Sequence, residues 1–172
     1  MTAHRTTPNP HRPLDRISAL LAAQADTADV RATAGRVIAV GWATVELDRA
    51  AIELGTELGI PADRFLDAPG TATLGARCRM ARGVLPDGTS LVLLEPATEG
   101  RLAGSLARSD EGPVAVWLVV ADLDSALAAL RVAGIETSVE HHGPFGAERL
   151  VLDRPIHGPY RLLVELAGTI RQ

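Results

Sequence analysis

The sequence predicts an α+β fold made of two tandem βαβββ modules, preceded by an N-terminal helical extension. Two observations carry this. The phrase "AVGWATVELDRAA", Ala39 to Ala51, returns as "AVWLVVADLDSAL", Ala115 to Leu127, with Ala39/Ala115, Val40/Val116, Leu47/Leu123, Asp48/Asp124, Ala50/Ala126 and Leu54/Leu130 coinciding at one constant offset. Each copy also has the same grammar: a β-branched run, an aspartate, a helical run and a glycine, Gly59 or Gly134. An offset this long exceeds a solenoid period and suits two copies of one supersecondary unit packed face to face.

In chain order, residues 1–13 combine prolines with threonine, asparagine and two histidines, a composition with too little apolar surface to order itself, and are expected to form a tail. Residues 14–34 follow as a helical extension, because Leu14, Ile17, Leu20 and Leu21 recur at helical spacing with Asp15 near the start. The first module occupies 35–97. Its strand "RVIAVGWATVEL" leads to Asp48, expected to cap the helix that Gly59 ends. Strand candidates "TLGARCRMARG" and "TSLVLLEP" flank a turn at Pro86-Asp87-Gly88.

Residues 98–112 form a connecting segment with a short helix in its middle. The second module, 113–172, repeats the plan with "PVAVWLVVADL", an Asp124 cap, a stop at Gly134, and strands in "GIETSVEHH", "ERLVLD" and "YRLLVEL". His157-Gly158-Pro159 supplies a turn, and the glycines of "DAPGTATLG" and "GPFGAE" lack a nucleotide-binding spacing and are read as turns.

Composition excludes several classes of function. A formal net charge of -4 and an isoelectric point near 5.7 provide no basic field for a phosphate backbone, and two tryptophans, one tyrosine and two phenylalanines are few for stacking on bases, so no nucleic-acid partner is expected. The single cysteine, Cys78, rules out an internal disulfide and an all-cysteine metal site, and a lone cysteine is more often a small core residue than a nucleophile. No apolar run reaches spanning length and the N-terminus lacks a signal-peptide core, so no membrane is implicated and the protein is expected to be cytoplasmic.

The paired "V-x-[ED]-L-D-x-A" phrases, with "LLEPATEGRLAGSLARSDEGP", "ADLDSALAALRVAGI", "GPFGAERLVLDRP" and "RLLVELAG", resemble the glyoxalase or vicinal oxygen chelate superfamily, most of all its methylmalonyl-CoA epimerase-like branch, over about residues 36 to 167. The resemblance implies curled mixed sheets around a cleft holding a divalent metal on two ligands from each module. It places the first-strand histidines of the family on Ala39 and Ala115, and the last-strand ligands on Val92 and Glu165. Three of those four side chains have no lone pair to donate, so no metal and no cofactor are expected. A shift that uses Glu95 in place of Val92 recovers a second carboxylate but no histidine.

Strand alternation then assigns Ala39, Gly41 and Ala43, Ser90, Val92 and Leu94, Ala115, Trp117 and Val119, and Arg161, Leu163 and Glu165 to the cleft. Of these, Ala39, Gly41, Val92, Ala115, Trp117 and Leu163 are the candidate binding wall. Glu165, a carboxylate among apolar side chains, is the candidate acid or base. His141 and His142 are further candidates for moving a proton. Arg77 and Arg79, on one face of their strand, are candidates for holding a carboxylate or phosphate.

The function expected is a metal-independent enzyme of epimerase, isomerase or cyclase type, transferring a proton next to a carbonyl of a small, partly apolar organic molecule. The alternative is a protein of the same fold that binds a small molecule or sequesters an antibiotic. A homodimer is expected, since relatives pair their modules either within a chain or between two.

Overall fold

A computed structural model describes residues 9–152 and 159–165, so the turn at His157 lies outside the described residues. The N-terminal extension is two helices, α1 (Pro13–Gln24) and α2 (Ala28–Thr33), rather than one. Pro13 opens α1, where its missing N–H costs nothing, and α2 ends on Ala34 in the left-handed region. The first module runs β1 (Arg36–Ala43), α3 (Leu47–Leu58), a single 3₁₀ turn, β2 (Leu66–Thr71), β3 (Ala76–Ala81) and β4 (Ser90–Pro96). After α4 (Arg101–Ser109) the second module runs β5 (Gly112–Val120), α5 (Leu123–Val132), β6 (Glu136–Thr137), β7 (His141–Gly143), β8 (Gly146–Leu152) and β9 (Tyr160–Glu165).

The helices stop where expected and start earlier. Gly59 and Gly134 are both left-handed, with φ of 70° and 74°, a conformation glycine adopts without steric cost. The N-caps are Glu46 and Asp122, two residues before the aspartates the repeat suggested, and Asp122 Oδ1 accepts the Ser125 N–H at 3.0 Å. Asp48 and Asp124 lie in the first turn, where a negative charge still favours the helix N-terminus. The other correction is β2: "DAPGTATLG" holds an edge strand as well as a turn. Pro69 and Gly70 weaken the strand signal, and an edge is where a sheet tolerates them.

The strands form one sheet in the order β2-β3-β4-β1-β5-β9-β8-β6, with β7 paired on β8. The modules meet within the chain along the antiparallel β1–β5 pair, and each closes with a parallel pair, β1–β4 or β5–β9. The sheet curls until its far ends touch: the Ala72 N–H, just after β2, donates to the His142 carbonyl of β7 at 2.9 Å. Outside the curl, α1 and α3 cover a core around Val40, Trp42, Leu54 and Leu93, and α2 and α5 cover one around Leu118, Leu130 and Leu163. Inside it, Ala39, Val92, Ala115, Trp117, Leu162 and Val164 pack into a third core, sealed at one end by Leu102 of α4. The Tyr160 hydroxyl fastens α4 there, donating to the Arg101 carbonyl at 3.0 Å and lying 2.8 Å from Ser105 Oγ.

Candidate functional site

The inner face of the curl is where the resemblance would put a metal. Ala39, Val92 and Ala115 do face it, fully buried. The fourth position is not Glu165. Trp117 pairs with Leu162 across β5–β9 as Gly41 pairs with Val92 across β1–β4, so Leu162 is the counterpart of Val92. Alanine, valine and leucine carry no donor atoms, and among the described residues no three His, Cys, Asp or Glu side chains come together in a way that could hold an ion. The described residues on this face do not fit a metal.

Glu165 occupies the outer face, partly for reasons of parity and partly because the first turn of α5 needs an acceptor. Leu162 and Val164 take the inner core, leaving Arg161, Leu163 and Glu165 outside. Glu165 Oε2 accepts the Leu123 N–H at 3.0 Å, and in the first module Glu95 Oε2 accepts the Leu47 N–H at 2.9 Å. The two glutamates are equivalent, each satisfying an orphan amide at the start of its module's helix. Leu163 packs under α5 and Arg161 pairs with buried Asp29 of α2, so the expected cleft-facing set on β9 is off by one residue.

The carboxylate that does face inward is Glu148, on β8, which sequence reasoning missed. It is fully buried, as is Trp117. Its Oε1 accepts a hydrogen bond from Thr71 Oγ1 on β2, and its Oε2 accepts the Trp117 indole N–H at 2.9 Å. Thr71 therefore ties the first module's edge to the second module's interior. A Cβ on Gly143 would fall 1.9 Å from Glu148 Oε2, so only glycine leaves the carboxylate its place. A usable signal existed: alternation in "ERLVL" puts Glu148 on one face with Leu150, which belongs to the inner core.

His141 lies directly across the β7–β8 pair from Glu148 and is half-buried; His142 is its exposed neighbour, on the opposite side of the strand. Neither imidazole has a hydrogen bond among the described residues. Cys78, on the inner face of β3, is buried, and its thiol pKa is pushed up to about 12, first by burial and further by the Glu148 charge, against a hydrogen bond from the Thr71 backbone. It stays protonated and is no nucleophile.

Arg77 and Arg79 face a cleft of about 530 Å³ with Asp48, Asp67 and Glu95. Both are engaged: Arg77 pairs with Glu95, and Arg79 pairs with Asp48 at 2.6 Å and with Asp67 at 3.0 Å. Burial acts to raise the Glu95 pKa, but the Leu47 amide and the Arg77 guanidinium outweigh it and hold the carboxyl below its ordinary value. An anion entering here would meet four carboxylates, Glu46 being the fourth, so the arrangement disfavours the role the sequence suggested.

No family model and no curated protein matches the sequence. Solved structures do. Methylmalonyl-CoA epimerase from Mycobacterium tuberculosis superposes with a TM-score of 0.65 at 22% identity, over 77% of this chain and 88% of that one. A Streptomyces coelicolor methylmalonyl-CoA epimerase in complex with 2-nitronate-propionyl-CoA gives 0.63 at 24% identity, over 77% and 98%. A hypothetical protein from Bacillus halodurans C-125 gives 0.61 at 14% identity, over 80% and 99%. The chain thus shares the fold of these solved structures, methylmalonyl-CoA epimerases among them.

Proposed function

We propose that the chain is a metal-independent enzyme of epimerase, isomerase or cyclase type that moves a proton next to a carbonyl of a small, partly apolar molecule, with Glu148 as the group that takes the proton. The observation that carries this reading is the one inward, fully buried carboxylate among the described residues, held by two hydrogen-bond donors on the face where the resemblance puts the cleft. Once Glu148 holds the proton it needs its two donors less, and the Trp117 N–H and Thr71 O–H are then free to stabilise an oxyanion, the part a metal plays elsewhere. His141, across the strand pair, is the group to exchange that proton with solvent. Glu165 has no part in it.

A second reading is favoured by one observation: Glu148 and Trp117 are both wholly shielded. A protein that only binds or sequesters a small molecule requires no access to a carboxylate.

Proton exchange separates the two. A panel of 2-substituted 1,3-dicarbonyl compounds in D₂O, followed by NMR, should show catalysed exchange of the α-proton, lost in Glu148→Gln and kept in Glu165→Gln. Equal exchange with wild type and Glu148→Gln would overturn the assignment; ligand binding without exchange would leave the binding protein. A homodimer is still expected from the resemblance and is tested by light scattering, since the β1–β5 pair already joins the modules within one chain.

A further inference from the structure

A groove of about 420 Å³ opens at the opposite end of β4 from the ion-paired cleft, between the start of β1, the loop before β4 and the β7–β8 turn. Its floor is apolar, with Val37, Ile38 and the half-buried Phe145. Arg36 and Arg82 stand at its rim, exposed, and neither has an ion-pair or hydrogen-bond partner among the described residues. The groove's one acid, Asp87, is turned into its own loop, where Oδ1 accepts the Thr89 N–H at 2.9 Å. Arg77 and Arg79, by contrast, are both held by carboxylates, whereas these two cations stand beside an apolar surface with no carboxylate on them among the described residues.

The groove also adjoins the interior. The Phe145 ring lies 5.7 Å from the Trp117 ring, tilted by 58°, and Trp117 is the residue that donates to Glu148. Phe145 thus lines the groove and also meets the Trp117 ring. On β1 the pairing with β5 slips at Ile38, between Val37 and Ala39, and such a bulge re-aims the side chains around it.

We infer that this groove binds a small organic anion, a carboxylate, sulfonate or phosphate attached to an apolar body, with the anionic end on Arg36 and Arg82 and the body against Ile38 and Phe145. Guanidiniums suit such a group because their fork matches its oxygens in pairs. An apolar floor with a few polar groups at the rim is the usual make-up of a small-molecule site. As the mouth leading past Phe145 to Glu148, the groove rests on the function proposed above; as a binding site it does not.

The probe is 8-anilinonaphthalene-1-sulfonate, titrated against the full chain by fluorescence, with N-phenyl-1-naphthylamine as the same body without the charge. The sulfonate should bind saturably at one site, and the paired change Arg36→Ala with Arg82→Ala should weaken it by roughly tenfold or more. Arg36→Lys with Arg82→Lys, which keeps the charge without the fork, should recover only part of the affinity, and the uncharged probe should shift by less than about twofold. Both arginines are exposed and unpartnered, so the variants keep their fold. No saturable sulfonate binding, or binding indifferent to the arginines, would overturn the site. Arginine-dependent binding without any α-proton exchange would leave the groove standing and refute the enzyme. Exchange that survives the loss of both arginines would refute the groove as the entrance.

Discussion

Thr71→Val tests the contact that closes the curl. Valine keeps the shape of threonine and deletes one hydroxyl. Thr71 is 1% exposed and its hydroxyl donates to Glu148, itself fully buried, so the variant strands a buried acceptor that water does not reach. A hydrogen bond to a charged group is worth about 1.5–3 kcal/mol, and an unsatisfied buried acceptor costs a similar amount, so the loss should fall within about 1.5–3 kcal/mol. For a chain of this size each kcal/mol moves Tm by roughly 2–4 °C. Urea denaturation, read by tryptophan fluorescence, measures the change, with Thr71→Ser as the control that retains the hydroxyl. In the double-mutant cycle with Glu148→Gln the two changes should be coupled by more than about 0.5 kcal/mol, and additive changes would refute the bond as a tie between the modules. Hydrogen exchange adds a local readout: the Ala72 amide, bonded to His142, should lose protection in Thr71→Val before the β1–β5 amides do.

Further outcomes follow from the same geometry. Glu165→Gln should leave ligand binding unchanged and cost on the order of 1 kcal/mol, through the amide of Leu123, a loss that thermal melts will detect. Gly41→Ala should destabilise the protein by about 1–3 kcal/mol, because the new Cβ would lie 2.8 Å from Leu94 and 3.0 Å from Ala115 and Trp117 in a filled core; an unchanged urea midpoint would mean the interior has room to spare. Glu95 and Glu111 both have pKa values below their ordinary 4.5: at Glu111 burial opposes the shift, and the Val45 amide, Thr44 hydroxyl and Arg49 outweigh it. A depressed folded-state pKa means stability present above about 4.5 and lost as pH falls below it, so acid titration of stability should be shallower in Glu95→Gln and Glu111→Gln. Protein prepared without tags or chelators should contain well under one transition-metal ion per chain by elemental mass spectrometry, and about one per chain would refute the donor-set argument.

The two-module plan was legible because it rests on short-range physics. The β-branched runs "RVIAVGWATVEL" and "PVAVWLVVADL", glycines at the two helix ends and a repeated phrase each act within a few residues, and β1, α3, β5 and α5 fall where those signals put them. What was misread had two sources. The strand β2 contains proline and glycine, tolerated only because it lies at an edge, and edge position is a property of the whole sheet. Glu165 was matched to the inner face by its place in "LLVEL", and side-chain period two means that an error of one residue reverses every assignment on a strand. Pairing with β5 resolves it, Trp117 opposite Leu162 and Val120 opposite Glu165.

By itself the sequence determined that the chain has a two-module α+β plan and that histidine is missing from the two first-strand positions where the resemblance calls for it. Those are properties of composition, periodicity and residue identity. Only the tertiary structure decided that Glu148, not Glu165, faces inward, that Arg77 and Arg79 are ion-paired while Arg36 and Arg82 have no such partner among the described residues, and that the curl closes on itself between Thr71 and Glu148. The physical reason is distance along the chain. Thr71 and Glu148 are separated by 77 residues, and which carboxylate meets which donor depends on sheet order and register, which no local pattern encodes.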